Sequence, residues 1–285
     1  MSFKIGWLTS GEDVNSQKLF TNLHKAIQDL NVDVEISYLF SNQQMGKTQK
    51  IDQFFTTVRD LGVHLITLPS AEFQKKTNPC QTEKESPHWE EEYHHLVMEK
   101  ISPYPVDIIL LVDYSPVVSI EFINAHNIAK FRTALPAGPT GDRTTTIWQL
   151  IGTRAMESGM SLSLLNEHDP IYGVPLTYCS YSIRGDTFDS LWCDLDQKMK
   201  SQYLKHIMET EGESNPLFKA IKETGEKWEQ PLLNLTMQYL CTGKISIKDK
   251  LVYSGDEIKL EGHCLTEEIR ETYFDKAIQG SEEGA

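Results

Sequence analysis

Asp107-Ile-Ile-Leu-Leu-Val-Asp-Tyr-Ser-Pro116 is the segment that predicts the fold most directly. Its apolar residues, Ile108 to Val112, make it the most apolar strand candidate in the chain. A short apolar run bounded by turn residues is typical of a strand that a sheet buries on both faces. The polar residues that follow, Asp113 to Ser115, would then lie at the carboxyl end of that strand, where parallel sheets bind ligands.

The rest of the first half of the chain alternates between strand and helix patterns. Helically spaced apolar residues, such as Leu19 to Leu30 and Phe54 to Leu61, separate the strand candidates. The predicted strands are Phe3 to Thr9, Asp33 to Phe40, Val63 to Leu68, Ile108 to Val112 and Ile128 to Arg132. This alternation predicts an α/β fold, a mostly parallel sheet with helices on both faces. Ligand-binding residues are expected at 9–15, 41–46, 112–118 and after Arg132.

The second half of the chain changes in pattern. Two further strands are predicted at Met160 to Leu165 and Val174 to Ile183, and the chain becomes helical from about residue 187. Residues 244–260 indicate a short hairpin. We therefore expect a first domain over residues 1–195 and a helical C-terminal extension over 196–285. Residues 70–87 have no apolar period and are predicted as a loop, and Glu209 to Asn215 as a linker.

Composition excludes several classes of function. The 285 residues include 27 Lys and Arg against 41 Asp and Glu, a formal net charge of −14. Such an acidic surface repels phosphate backbones, so we expect a small-molecule ligand and no nucleic acid. No apolar run approaches the ~20 residues of a membrane helix. The five scattered Cys and a strand-like start without a leader segment indicate a cytoplasmic protein with reduced thiols.

A second segment, Ala134-Leu-Pro-Ala-Gly-Pro-Thr-Gly141, follows the fifth predicted strand and precedes the helical stretch from Ile147. It resembles the strand-to-helix loop of the folate-dependent formyltransferases, which reads Asn-x-His-Pro followed by Ala-Leu-Pro and a Gly. Residues 107–122, Gly159 to Pro175 and Asp186 to Leu191 resemble further landmarks of that family, in the same order. The resemblance covers about residues 3 to 195, is closest to the glycinamide-ribotide group, and implies a Rossmann-like formyltransferase fold.

The family transfers a formyl group from 10-formyltetrahydrofolate to an amine, using an Asn, a His and an Asp. Aligned on the loop, Lys130 takes the Asn position, Arg132 the His position and Ile171 the Asp position. Two interpretations stay open. Arg132 offers a permanent cation to the oxyanion, with Lys130, Asp169 and His168 in new roles. Alternatively, the site has lost its chemistry and these residues are ordinary charges at its rim.

The acceptor side departs from the family as well. In the glycinamide-ribotide enzymes, amides after the first strand cradle the acceptor phosphate at a helix N-terminus. The matching residues here are Ser10, Gly11, Glu12, Asp13 and Asn15. Two carboxylates therefore stand where a phosphate would bind, or Asp13 or Asn15 caps the helix. Asn42, after the second strand, matches the Asn that the family carries there.

On the folate side, the resemblance assigns the cofactor to the turn after the fourth strand and to a later loop. The assigned residues are Asp113, Tyr114, Ser115, Pro116, Val117, Val118 and Asn166. Asp113 replaces the usual Gly, and it would either bond the pterin or cap the next helix. His94 and His95 invite a metal hypothesis, but adjacent residues point to different helix faces, which favours a solvated charged helix and no metal. Cys179 is interpreted as a core residue.

Two functions follow from the resemblance. The first is a formyltransferase related to purine biosynthesis that uses 10-formyltetrahydrofolate with weakened or altered activity. The second is a non-catalytic relative that binds a folate-like small ligand or a protein partner. A homo-oligomer is compatible with both.

Overall fold

A computed structural model describes residues 2–29, 33–77 and 89–275 of the chain. The strands are β1 (Phe3–Thr9), β2 (Val34–Ser41), β3 (His64–Thr67), β4 (Ile108–Leu111), β5 (Ile128–Arg132), β6 (Glu157–Leu164), β7 (Val174–Ser182), β8 (Ser246–Lys248), β9 (Leu251–Ser254), β10 (Glu257–Ile258) and β11 (His263–Cys264). The helices are α1 (Val14–Asp29), α2 (Gln49–Asp60), α3 (Ser70–Thr77), α4 (Trp89–Ile101), α5 (Ile120–Ala125), α6 (Arg143–Gly152), α7 (Asp186–Met199), α8 (Leu204–Glu211), α9 (Pro216–Cys241) and α10 (Thr266–Ile269), with a π-helix at Arg270–Phe274.

The main sheet has eight strands in the order β11-β7-β6-β5-β4-β1-β2-β3. The β1–β2, β1–β4, β2–β3, β4–β5 and β7–β11 pairs are parallel, and register along β1 runs from Phe3 opposite Val34 to Thr9 opposite Ser41. The predicted α/β fold with a mostly parallel sheet is therefore confirmed. A separate antiparallel sheet, β10-β9-β8, forms at the predicted C-terminal hairpin.

Two compact units divide the chain. The first comprises Met1–Phe131, Leu162–Leu176 and Thr236–Gly262, and the second Arg132–Ser161, Thr177–Leu235 and His263–Ala285. In the first unit, β4 is buried along its whole length and packs with α4 and α5 in an apolar core. The residues of that core include Leu8, Phe40, Tyr93, Val97, Ile109, Leu111, Phe122 and Ile128. The expected boundary near residue 195 remains a prediction.

The second unit has its own aromatic contacts. The ring centroids of Trp148 in α6 and Phe218 in α9 are 5.5 Å apart. Tyr181 of β7 stacks on Trp228 with ring centroids 5.7 Å apart. Cys179 of β7 is fully buried, and burial raises the pKa of its thiol, so the interpretation as a core residue is confirmed.

Two local predictions are wrong. Residues 70–77 form α3 and are not a loop; the remainder of the predicted loop, 78–88, lies outside the described residues. Phe73 alone packs α3 onto the core, and one apolar residue produces no detectable period. The predicted linker contains the end of α8, a 3₁₀ turn and Asn215, which is buried and caps α9 by accepting from the amides of Leu217 and Phe218.

Within the described ranges, no helix is both long and apolar enough to cross a lipid bilayer.

Candidate functional site

The loops after β1, β2 and β4 meet at one edge of the sheet in the first unit. The backbone amide of Ser115 donates to Ser10 Oγ at 3.1 Å, and the two serine hydroxyls are also 3.1 Å apart. Asn42 Nδ2 donates to Ser115 Oγ at 3.1 Å and to Ser70 Oγ at 3.0 Å. Three loops that the sequence assigned to acceptor and cofactor binding are thus joined by one hydrogen-bond network. Ser70, the first residue of α3, was not predicted to belong to this network.

Asp113 begins the turn after β4 in a left-handed backbone conformation, with φ of 55°. Its carbonyl oxygen accepts from the amide of Ser10 at 2.5 Å. Its carboxylate Oδ2 accepts from the amide of Asp13 at 3.1 Å and from Ser16 Oγ at 3.4 Å. Asp tolerates this conformation better than most residues with a side chain, which explains how it occupies a position where the family carries Gly.

The carboxylate of Asp113 therefore caps α1. The alternative that Asp113 caps the next helix is wrong, because Ser119 Oγ accepts from the amide of Phe122 and caps α5. Partial burial raises the pKa of Asp113, and the nearby charge of Asp13 raises it further. Hydrogen bonds from the amides of Asp13 and Glu12 and from Ser16 oppose that shift without cancelling it.

The two carboxylates of the loop between β1 and α1, those of Glu12 and Asp13, are both hydrogen-bonded within the protein. Asp13 Oδ2 accepts from the amide of Ser16 at 3.0 Å, so the interpretation of Asp13 as a helix cap is confirmed. Glu12 Oε1 accepts from Lys47 Nζ at 3.0 Å and from Gln43 Nε2 at 3.1 Å. Gly11 turns the chain into the helix with φ of 68°. Asn15 is the second residue of α1 and is half-buried.

The predicted solvated pair His94 and His95 is half wrong. His95 is exposed near Glu99 and Glu121, as expected. His94 is fully buried: Nδ1 lies 2.7 Å from the carbonyl oxygen of Glu90, and Nε2 lies 3.3 Å from Tyr114 Oη. Burial lowers the pKa of His94 to about 4, so the ring is neutral near pH 7.

His94 contacts the side chain of Tyr114 and so packs against the turn after β4. The imidazole stacks on Phe122 with an interplanar angle of 25°. Tyr93, its neighbour on α4, donates to the carbonyl oxygen of Leu68 at 2.6 Å and is also hydrogen-bonded to Tyr114. Apolar spacing on α4 places Tyr93 and Val97 on its inner face, but it does not reveal that His94 shares that burial. In the described part of the chain, no group of three His, Cys, Asp or Glu side chains is placed to hold a metal ion.

The loop between β6 and β7 holds the remaining predicted residues of the first unit. Asn166 Oδ1 accepts from the amides of His168 and Asp169, both at 2.9 Å. Asp169 Oδ1 accepts from the amides of Tyr172 at 2.8 Å and Ile171 at 3.3 Å, and Lys130 Nζ donates to the carbonyl oxygen of Ile171 at 3.3 Å. The structure thus brings together Lys130 and Ile171, two of the predicted catalytic positions. The side chain of His168, another predicted catalytic residue, is 90% exposed.

Arg132 lies in the second unit, at the start of the loop quoted above. Its Nη2 donates to the carbonyl oxygen of Pro139 at 3.2 Å, so the guanidinium braces the loop from Ala134 to Gly141. Ser161 Oγ also donates to the carbonyl oxygen of Ala134 at 2.9 Å. Arg132 is half-buried and permanently charged.

Apolar side chains are exposed in several loops of the first unit that follow strand ends. Val117 in the turn after β4 is 63% exposed, and Ile171 after β6 is 50% exposed. Val14, Met45, Ile120 and Tyr172 are the other exposed members of this group. Pro116 is half-buried, whereas Val118 belongs to the core. Val14, Met45, Val117 and Ile120 follow the parallel strands β1, β2 and β4. Because parallel strands end at the same edge of a sheet, these four side chains lie at the edge where such sheets bind ligands.

No protein-family model matches the chain, and no curated protein matches it either. Among solved structures, the phosphoribosylglycinamide formyltransferase from Coxiella burnetii superposes with a TM-score of 0.61 at 14% identity, over 93% of this chain and 99% of that one. Glycinamide ribonucleotide transformylase 1 from Symbiobacterium toebii gives 0.59 at 13% identity, over 89% and 94%.

The formyltetrahydrofolate deformylase from Pseudomonas syringae pv. tomato gives a TM-score of 0.57 at 12% identity, over 89% of this chain and 66% of that one. At such identities a structural likeness establishes the fold and leaves the chemistry to be argued from the site. The chain has the fold of the formyltransferases, as the sequence resemblance predicted.

Proposed function

We propose that this chain is a formyltransferase-like protein that binds a folate-type one-carbon ligand, 10-formyltetrahydrofolate or a close analogue, and transfers its formyl group to an amine only weakly. The observation that carries the proposal is the likeness to the Coxiella burnetii formyltransferase over 93% of this chain. The turn from Asp113 to Val118 and the loop at Asn166 would hold the ligand. Exposed Val117 and half-buried Tyr114 suit the flat face of a bicyclic pterin ring.

Weak transfer is expected from the groups at the three catalytic positions. Attack of an amine on a formyl carbon needs a donor that stabilises the oxyanion and a group that passes a proton. Arg132 supplies charge but does not release a proton near neutral pH, and Ile171 has no titratable group. Lys130 and Asp169 are engaged with the backbone of residues 171 and 172. Losing donor, acid–base group and orienting carboxylate together costs orders of magnitude in rate.

A purely binding role is the second candidate, and one observation favours it. The carboxylate of Asp169 accepts two backbone amides of its own loop, which is the arrangement of a structural turn. If Asp169 keeps that role when a ligand binds, its carboxylate does not take part in proton transfer. The protein would then bind a folate-like molecule, or a protein partner, without turning it over.

Calorimetry with a stable 10-formyltetrahydrofolate analogue tests the binding that both candidates share. We expect saturable binding by the wild type and about tenfold weaker binding by Val117→Asp, because a charge then faces the apolar ring. Leu260→Asp is the matched control, since Leu260 is 67% exposed and lies in the β10–β11 connection, remote in sequence from the turn. Absence of heat with the wild type removes the folate component of both candidates.

A spectroscopic formyl-transfer assay separates the two candidates. Slow formyl transfer by the wild type to glycinamide or to glycinamide ribotide supports the weak transferase, whereas folate binding without transfer to either amine supports the purely binding role. Rapid turnover contradicts the argument from Lys130, Arg132 and Ile171.

A further inference from the structure

The loops after β1 and β4 lie where the strand order of the sheet reverses, and we refer to this place at the edge of the sheet as the crevice. From β1 the chain continues to β2 and β3 on one side, and then returns to place β4 on the other side of β1. Open parallel sheets bind their ligands at such a switch point, outside the carboxyl ends of the strands. Ser10, Asp13, Asp113 and Ser115 lie there and are connected by hydrogen bonds.

A helix N-terminus beside such a crevice ordinarily attracts an anion, because its first amides are unpaired and its dipole is positive there. In this chain, a carboxylate of the protein itself, that of Asp113, already lies at this end of the 16-residue helix α1. The carboxylate of Asp113 accepts from the amide of Asp13 and from Ser16 Oγ, and the amide of Glu12 also bonds to it. The side chains of Glu12 and Asp13 add further negative charge around the same helix end.

An independent observation concerns Asn42, which is 1% exposed. Both hydrogen bonds of its amide nitrogen go to serine hydroxyls, one of which, Ser115, belongs to the crevice. The amide oxygen Oδ1 is buried without a hydrogen-bond partner. A buried carbonyl oxygen without a donor is unfavourable, so it calls for an N–H or O–H group from a ligand or a water.

We propose that Asp113 determines the ligand specificity of this crevice. It occupies the anion position at the start of α1, so the crevice excludes phosphate-bearing ligands and takes an uncharged or cationic ligand with N–H or O–H donors. This inference rests on the proposed function in one respect: the amine that accepts the formyl group would bind here and would carry no phosphate. The exclusion of phosphate itself depends only on the position of Asp113.

Inorganic phosphate is the probe that tests the exclusion. Titration into ¹⁵N-labelled protein, followed through the amide resonances of Glu12 and Asp13, should show at least about tenfold tighter binding to Asp113→Gly than to the wild type. Gly suits the left-handed conformation at this position, so the variant should fold. Asp113→Asn removes the charge alone and should gain affinity in the same direction.

Asp249→Gly is the matched control, because Asp249 also has a left-handed backbone, with φ of 49°, and lies in the β8–β9 turn. It changes the net charge equally and should leave phosphate binding at the wild-type level. The inference is overturned if the wild type binds phosphate as tightly as Asp113→Gly. It is equally overturned if neither Asp113 variant gains affinity, or if Asp249→Gly gains as much.

The preference for donor groups is tested with glycinamide, a cationic amine without phosphate. We expect measurable binding by the wild type that Asp113→Asn weakens several-fold and Asp249→Gly does not. No binding by the wild type, or equal binding by all three proteins, overturns this part. Neither titration contains a folate analogue, so failure of the proposed folate binding is measured separately.

Discussion

The imidazole of His94 lies between the carbonyl oxygen of Glu90 and the hydroxyl of Tyr114, against the ring of Phe122. In the neutral ring, Nδ1–H donates to the carbonyl, and Nε2 lies 3.3 Å from the hydroxyl. Protonation of the ring would bury a charge beside the apolar ring of Phe122. His94 therefore connects the stability of the turn at Tyr114 to its own protonation state.

We predict that His94→Gln reduces the loss of stability below pH 6.5. The folded-state pKa of His94 is lowered to about 4 from 6.5, so its contribution is fully present above pH 6.5 and is lost as pH falls toward 4. The shift corresponds to about 3 kcal/mol at most. Urea unfolding at pH 7 and pH 5 measures it, and the difference between the two pH values should be smaller in the variant.

His95→Gln is the control, because His95 is adjacent in sequence and its side chain is 59% exposed. A wild-type pH dependence in His95→Gln and a reduced one in His94→Gln is the expected pattern. The same pH dependence in all three proteins would show that His94 is not the group responsible.

The role of an individual residue could be predicted from the sequence when its partner lies nearby in the chain. The cap at Asp13 follows from sequence, because the acceptor and the donor lie within one helical turn. The cap that Asp113 supplies to the same helix joins residues 100 apart, and only the neighbouring positions of β1 and β4 bring them together. His94 was misjudged for a similar reason: its burial depends on what α4 packs against, and the acidic residues before it suggested solvent.

At the scale of elements, α9 shows how a helix can carry a charge into a core. Glu229 in its middle is 0% exposed, and its carboxylate lies 2.5 Å from Nη1 of Arg143, in the first turn of α6. Arg143 also lies 3.8 Å from Glu226, one turn earlier on α9. The Pro231 inside α9 removes one backbone donor at this part of the helix. The ion pair joins two helices of the second unit, which also meet through Trp148 and Phe218.

Glu229→Gln should therefore lower the free energy of unfolding by about 2–3 kcal/mol, because it leaves the guanidinium of Arg143 beside a buried neutral group. Glu226→Gln is the matched control on the same helix, and we expect less than about 1 kcal/mol since its side chain is 34% exposed. Urea denaturation of both variants at pH 7 measures the difference. Equal effects would show that burial of Glu229 adds nothing to the pair.

Elements with a strong apolar period were predictable to within a few residues. β1 was predicted with its observed bounds, and α2 ends at Asp60 before Gly62, as its sequence indicates. α3 was missed because Phe73 is the one apolar side chain that it packs against the core. The end of α8 was mistaken for a linker because its acidic residues run on into the glycine and serine of the 3₁₀ turn. In both places tertiary contacts, which composition does not report, decide the structure.

At the scale of the whole molecule, fold and chemistry separate. Alternating strand and helix patterns determine the parallel sheet through many weak contributions, so the fold survives extensive substitution and was predicted. Transfer chemistry depends on a few side chains at fixed positions, so three substitutions are enough to change it. The net charge of −14 belongs to this scale as well, because it acts on every partner that approaches.

The combination Lys130→Asn, Arg132→His and Ile171→Asp tests whether the scaffold still supports transfer. If it does, the triple variant should raise formyl transfer to an amine by one to two orders of magnitude above the wild type, because an oxyanion donor, an acid–base group and its orienting carboxylate return together. The double variant Lys130→Asn and Arg132→His is the control and should gain less, since its imidazole lacks a carboxylate partner. A triple variant that folds and binds the folate analogue but remains inactive would show that acceptor binding is also lost.

Combining the triple variant with Asp113→Gly would then be expected to restore activity on a phosphate-bearing acceptor, because the anion position at the start of α1 is open again.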